Sequence, residues 1–512
     1  SGGVVNVTTL QNALASNNIQ VATTGAGADA GNITVASPVT WSSAKTLTLY
    51  ASGSVNGNGD IATGSGGLSI VQSGSSTFSG VISGSGNLIK NGTGALTLTG
   101  ANTYTGGTLV AGGTLAIGAS NALPSGGALT VSGGTLDLGA YSYSAGAVSF
   151  GASGGTITSS TGVLTATSYT FSNTSAATVS AILAGSGTLT QNGSSTTTLS
   201  GANTYTGRTV LSAGILLLNS ASALGNGGAI TFGGGFLQYS ANNTVDYSAR
   251  FDAITTGQAY KVDTNGQNIT WATGFGTASS TLTKQGAGTL LLTAANTYDG
   301  LTTVSSGTLA VTNPDALGSK AAGTTVVGSN ATGGGAVLDL RNVDIGNEAV
   351  TLQKGSVGAM PQSGATLRVS TGSSALSGTL SVSLQTNIDV GGTQLSVSNL
   401  AEGTSAAMNK LGSGLLTLTG ANASFASAAA GINVVAGTVE LTGSASLGNG
   451  TYAGQISNSG TFHFDTTASQ SISGNITGTG TLIKDQANTL ALSGLLKHLS
   501  NPSRFKVSPV DN

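Results

Sequence analysis

One phrase returns along the chain, and it limits what the chain can fold into. Gly100 to Thr108 read GANTYTGGT, Gly201 to Thr209 read GANTYTGRT, Ala294 to Thr302 read AANTYDGLT, and Gly420 to Phe425 keep a shorter copy, GANASF. Each copy follows an alternating run punctuated by glycine: SGSGNLIKNGTGALTLT from Ser83, AGSGTLTQNGSSTTTLS from Ala184, SSTLTKQGAGTLLLT from Ser279 and MNKLGSGLLTLT from Met408. A fifth start, TGTGTLIKDQANTLALS, begins at Thr477. Downstream, GGTLAIGASNALPSGGALTVSGGTLDLG from Gly112 is answered by AGILLLNSASALGNGGAITFGGGFLQYS from Ala213 and by SGTLAVTNPDALGSK from Ser306.

Tyr104 and Tyr205 stand 101 residues apart and Tyr205 and Tyr298 stand 93 apart, with Phe425 a further 127 along. That period is too long for one structural turn, so each unit comprises several. Within the runs apolar residues alternate strictly (Leu96 and Leu98, Leu115 and Ile117, Leu136 and Leu138), the period of a half-buried strand. Gly, Asn, Asp and Ser break the runs every few residues and turn the chain. Strand, turn, strand units stacked in one direction make an all-β parallel β-solenoid, in which each rung buries the face of the next. Rungs of roughly 20 residues at about 4.8 Å predict around two dozen rungs and a rod on the order of 100 Å.

Composition narrows the function. With 15 basic and 17 acidic residues and a net charge of −2, the chain has no basic stripe to neutralise phosphates, so nucleic acid is not expected as a partner. Ser, Thr, Asn and Gly interrupt every apolar stretch, so no transmembrane helix is expected. There is no cysteine, hence no disulfide and no thiolate metal site. Ser1-Gly2-Gly3 lacks the charged and apolar regions of a signal peptide, which reads as a mature or trimmed form of an exported protein.

Catalytic signatures are weak. GASGG at Gly151 to Gly155 fits a nucleophile elbow in letters only, because TITSSTGVLTATSYT follows, a strand run where an elbow needs a helix. His463 and His498 are the two histidines and stand far apart. NGNGDI from Asn56 resembles a single calcium-binding nonapeptide, but such sites need tandem copies, and a turn is the better reading. No catalytic residue, no cofactor and no metal site is expected, and the scattered acidic residues read as solubilising or edge-protecting charges.

The chain divides by pattern. Residues 1–67 read as an N-terminal cap and first rungs, with a short helical turn at LQNALAS from Leu10 covering the open end. Residues 68–240 hold the first two repeat units, 241–270 a more charged and irregular segment, 271–494 units three to five with the fifth cut short, and 495–512 a tail outside the repeat that reads as foreign or frayed.

The pattern GTLxKxGxGxLxLTGANTYTGGTxVxxGTL resembles the passenger-associated repeats of Gram-negative autotransporters, over most of Ser83 to Gly494. The stretch from Ala13 to Ala51 resembles filamentous haemagglutinin-type exoproteins over about fifty residues. The first resemblance implies a right-handed parallel β-helix, exported and displayed at the cell surface or released, with a C-terminal translocator barrel in the full-length protein. The signal peptide and the barrel are absent from this sequence, which reads as a passenger fragment.

In the repeat, Asn102, Asn203, Asn296 and Asn422 are expected in left-handed turns with their amides on neighbouring backbone. Gly106, Gly207 and Gly300 are expected to take a positive φ where the next strand begins. Tyr104, Tyr205, Tyr298 and Phe425 are expected to fill the rung interior or cover its corner. The segments 242–269 and 341–354 are candidate contact loops, through Asp246, Tyr247, Arg250, Tyr260, Lys261, Arg341 and Lys354. The leading functional reading is a non-enzymatic adhesin or structural rod for attachment, autoaggregation or biofilm. Its partner would be a host-cell or matrix receptor, a glycan or a second copy of the chain, held by many weak contacts. A toxin passenger like the vacuolating cytotoxins that share these repeats is the alternative, and a polysaccharide-cleaving β-helix enzyme is a third reading.

Overall fold

The computed structural model describes residues 3–23, 31–320, 324–328, 335–353, 366–420, 422, 425–427, 431–495 and 505–507. Almost all of them lie in short parallel strands and turns, forming a β-solenoid of about 20 turns. The chain divides into two compact units, Ser1–Asn243 and Thr244–Asn512.

In the first unit an eleven-stranded parallel sheet runs from strand Ile19–Ala22 to strand Ile230–Phe232. Leu68 pairs with Leu88, Leu88 with Thr108, Thr108 with Leu129 and Leu129 with Val148, a step of 19 to 21 residues per rung. A second face stacks strands Ala95–Leu98, Thr114–Ile117 and Thr135–Asp137 in the same register. A third face is made of shorter strands, such as Val39–Thr40, Ile61–Thr63 and Ile82–Gly84. Alternation places Leu96, Leu98, Leu115, Leu136, Leu189 and Leu216 in the interior with no exposed surface, while their neighbours face outward. A core built from one to three apolar residues per strand suffices because each rung covers the one below.

The helix Val7–Leu14 begins three residues before the expected LQNALAS turn, because the Asn6 side chain caps it by accepting from Thr9 N–H. Its Leu10 and Leu14 are buried. Gly154 and Gly155 turn the chain between strands Ala147–Phe150 and Gly155–Thr158, so Ser153 of GASGG sits in a strand-to-strand turn. Asp60 of NGNGDI accepts from Val81 N–H on the next rung at 2.8 Å.

The second unit continues the same scheme with longer strands. Ser373–Val390 and Gln394–Leu411, 18 residues each, pair in parallel with register shifts where they turn from one face to the next. Segment 242–269 contains a 3-10 turn, Ser248–Arg250, and the strand Ala259–Asp263, which pairs with Thr281–Gln285 as an ordinary rung. Its aromatic residues are core. Phe251 lies 4.8 Å from Trp271 and 5.5 Å from Phe275, both edge-on, and Tyr260 lies 4.8 Å from Phe275. Within the sequence 495–512, Phe505–Val507 form a strand in register on Leu482–Lys484.

Candidate functional site

The returning phrase forms a clasp on the third face of the solenoid. In the first copy, Thr103 N–H donates to Ile82 C=O (2.9 Å) and Thr105 N–H to Gly84 C=O (3.0 Å), so the phrase takes the place of a strand in its rung. Asn102 then reaches both ways: its Oδ1 accepts from Ile82 N–H on the rung below at 2.7 Å, and its Nδ2 donates to Ala122 C=O on the rung above at 2.6 Å. One side chain thereby ties three rungs.

The geometry repeats. Asn203 accepts from Leu183 N–H (2.8 Å) and donates to Ala223 C=O (2.7 Å); Asn296 accepts from Phe275 N–H (2.9 Å) and donates to Ala316 C=O (2.6 Å). Asn422 accepts from Leu400 N–H (2.9 Å) and donates to Ser446 C=O (3.1 Å). Beside each asparagine a fully buried aromatic ring fills the corner. The hydroxyls of Tyr104, Tyr205 and Tyr298 bond to those of Thr108, Thr209 and Thr302 at 2.6, 2.9 and 2.6 Å. In the fourth copy Phe425 keeps the ring without the hydroxyl, stacked 6.1 Å from Tyr452.

Two expectations are corrected here. Of the four asparagines, Asn422 alone is in the left-handed region, with φ 44°, because the cross-rung bonds of the others are made from ordinary backbone angles. Gly106, Gly207 and Gly300 do not have a left-handed φ. They are small because rungs touch there: a Cβ would come within 2.5 Å of Asn87 N, 2.1 Å of Gly187 O and 2.6 Å of Ser280 O. The residue with positive φ in the first copy is the neighbouring Gly107.

A second staple, not foreseen from sequence, sits at another corner. Lys90, Lys284 and Lys410 point inward from their strands and have no exposed surface. Each ammonium bonds carbonyls of its own turn and of the next rung: Lys90 to Asn91, Gly92 and Gly112 at 2.8–3.2 Å, Lys284 to Gln285, Gly286 and Ser306 at 2.7–3.1 Å, and Lys410 to Leu411, Gly412 and Ala436 at 2.8–3.2 Å. In the second copy Gln191 replaces the lysine and donates to Gly193 and Ser195 C=O. Lys484 repeats the arrangement toward Gln486 C=O. The glycine of each GTL phrase closes the cage, since a Cβ on Gly113, Gly307 or Gly437 would lie 2.8–2.9 Å from the ammonium.

Burial pushes Lys90, Lys284 and Lys410 each down to about 8. The unfolded chain therefore holds more protons between about pH 8 and 10.5, and stability should rise with pH across that window. The buried tyrosines act oppositely. Burial raises Tyr104, Tyr205's neighbour Tyr169 and Tyr298 above 10, so the unfolded chain ionises first and stability should fall above pH 10. We expect the thermal midpoint, followed by calorimetry, to climb from pH 8 to a maximum near 10. Replacing the three lysines by glutamine, as the chain itself does at Gln191, should flatten the climb.

One buried acid stands out. Glu348 is 1% exposed, its Oε1 accepts from the Thr325 hydroxyl at 3.1 Å, and its Oε2 has no hydrogen-bond partner among the described residues. Burial raises its carboxyl from 4.5 to about 7. The folded state thus holds more protons than the unfolded between those values, so its stabilising state is complete below about 4.5 and lost as pH rises through 7. Glu348→Gln should raise the midpoint at pH 8, leave it nearly unchanged at pH 4.5, and remove that part of the pH slope in a melting series.

The candidate contact residues do not form one surface. Tyr247 and Tyr260 are buried, at 4% and 0% exposure, and are unavailable to a partner because they fill the core of their rung. Asp246 is exposed but accepts from Ser248 N–H and hydroxyl and from Ala272 N–H. Arg250 lies 5.6 Å over the Tyr247 ring. Lys261 is half-buried on strand Ala259–Asp263. Arg341 and Arg368 flank the buried Asp339 at 2.8 and 3.2 Å. Burial would raise that carboxyl, but the bonds from Arg341, Arg368 and Ser370 hold it below the usual range. Lys354 lies outside the described residues. The longest exposed run of the first segment is Ala253–Gly257, where Ile254 is 86% exposed.

Among the described residues, no three His, Cys, Asp or Glu side chains gather as a metal site, and no helix is long and apolar enough to cross a membrane. The described residues form a repeat solenoid whose recurring geometry is a set of rung-joining clasps and staples.

The family model of the passenger-associated transport repeat matches residues 88–117, 189–218, 282–311 and 408–441, which contain both the staple residues Lys90, Gln191, Lys284 and Lys410 and the clasp residues Asn102, Asn203, Asn296 and Asn422. The chain is also similar to the adhesin BmaC autotransporter of Brucella suis biovar 1 (strain 1330), 32% identical over 251 residues. That match takes in 46% of this chain and 6% of the relative, so the chain spans a small part of that protein's length. No solved structure matches the chain. The chain thus carries four passenger-associated transport repeats and is similar, over part of its length, to an autotransporter adhesin.

Proposed function

We propose that the chain is an adhesin-like passenger segment, displayed at the bacterial surface or released from it, that presents its outer faces and loops to a partner. The single observation behind this reading is the similarity to an autotransporter adhesin, in a chain whose repeat positions are occupied by rung-joining side chains. The partner is a receptor on a host cell or in matrix, a glycan, or a second copy of the chain. Contacts spread along stacked rungs are individually weak and gain strength together. No catalytic role is assigned, in keeping with the relative's name.

The test is binding of the purified chain to cells, matrix proteins, a glycan array and its own immobilised copies. Saturable binding to one of these, reduced when Ala253–Gly257 are replaced by a shorter polar turn, is the expected result. A folded chain that binds none of them would remove the adhesin reading and leave the segment as a spacer and export scaffold.

A further inference from the structure

We propose that His463 is the centre of a pH-sensitive seam joining three successive rungs of the second unit. His463 faces outward from strand Thr461–Thr466, between Phe462 and Phe464, which point into the core. Its Nδ1 lies 3.0 Å from Glu440 Oε1 on the rung below, where Glu440 is its register partner. Its Nε2 lies 2.8 Å from Asp485 Oδ2, just beyond strand Thr481–Lys484 on the rung above. The three side chains are between 17% and 31% exposed, sheltered enough for the pairings to count.

The inference comes from counting donors. An ionised carboxylate only accepts, so each of the two short contacts needs a hydrogen on the ring nitrogen. The imidazolium has both; neutral imidazole has one, and its other nitrogen would then face a carboxylate oxygen lone pair to lone pair. The surroundings reinforce this. Asp465 lies on the same strand and accepts from Gln486, while Ile483, the register partner above, is apolar. Lys484 turns inward, and Lys506 is exposed in register on Ile483, one rung further. Two carboxylates therefore face this ring, with Asp465 two residues along its own strand, and an imidazole changes charge in the physiological pH range. In acid the seam is closed on both sides; as pH rises and the ring loses its proton, one side opens.

The test uses the full chain. Histidine-labelled protein gives two ring signals, and His498→Gln identifies the one from His463. Amide exchange of 438–443, 461–466 and 481–485, corrected for the intrinsic effect of pH, is measured at pH 5.5 and 8.5. We expect protection there to fall about tenfold as the His463 signal titrates, the size of one charge-assisted hydrogen bond. Strands of the first unit should be unchanged. In His463→Gln the pH dependence should vanish, and Glu440→Gln should shift the His463 titration to lower pH. Protection that is independent of pH, or an equal fall in His463→Gln, would overturn the proposal.

Discussion

Asn203→Leu should open the first unit locally at the second clasp. Leucine keeps the branching of asparagine at Cγ, though it is bulkier, and offers neither acceptor nor donor, so Leu183 N–H and Ala223 C=O are left buried and unpaired. Each such loss costs roughly 1–3 kcal/mol, giving about 2–6 kcal/mol together. Because a solenoid's stability is a sum of rung and nearest-neighbour terms, the loss should appear as faster amide exchange across residues 182–223, while the second unit keeps its protection. Asn203→Asp still accepts from Leu183 N–H, but at neutral pH it turns a buried carboxylate oxygen against Ala223 C=O, so it should be at least as damaging there and milder in acid, where a protonated carboxyl can donate. An Asn203→Asp effect that is small at neutral pH and does not change in acid would mean that shape, and not the paired hydrogen bonds, is what the asparagine supplies.

Tyr298→Ala is the other large expected loss. The ring has no exposed surface and stacks 5.7 Å from Phe275, which in turn packs against Tyr260, Trp271 and Phe251. Emptying that corner should cost about 3–5 kcal/mol, the usual range for removing a buried aromatic side chain. Tyr298→Phe should cost only about 1 kcal/mol, because it removes the hydroxyl bonded to Thr302 but keeps the packing. Phe425, in the same place in the fourth copy, shows that the ring alone fits a clasp. Denaturant unfolding of both variants, followed by tryptophan emission from Trp271 in the neighbouring cluster, separates the two contributions.

Much of the fold was legible because alternation and turn residues are local signals. Leu96, Leu98, Leu115 and Leu136 face the core as a period of two demands, and the parallel register follows from stacking copies of the same pattern. What the sequence hid were contacts between rungs, which lie some 20 residues apart. The glycines of the phrase look like turn formers from their neighbours in sequence; their real constraint is the backbone of another rung, as at Gly207 against Gly187. For the lysines of the GTLxK pattern, nothing local says that carbonyls await the ammonium. A signal was present: Lys90, Lys284, Lys410 and Lys484 recur at an inward position of the alternation, and Gln191 takes their place once. The Ala-Leu pair of NALPSG, SALGNG and DALGSK was an equally readable sign, for Ala122, Ala223 and Ala316 are the acceptors above the asparagines.

The segment from 242 to 269 shows the opposite error. Its charge and aromatic residues suggested an irregular contact loop, yet Tyr247, Phe251 and Tyr260 are core. Aromatic residues are ambiguous in a thin solenoid, where one ring can fill most of a rung's interior. Ala253–Gly257 form the longest run of exposed residues in the segment.

Each repeat places one asparagine between three rungs. The most direct measurement is amide exchange of the four residues bonded to those side chains: Ile82, Leu183, Phe275 and Leu400. These four N–H groups should be protected as strongly as the strand amides beside them, although each bonds to a side chain. Exchange at the rate of exposed turn amides, in the intact chain at neutral pH, would contradict it.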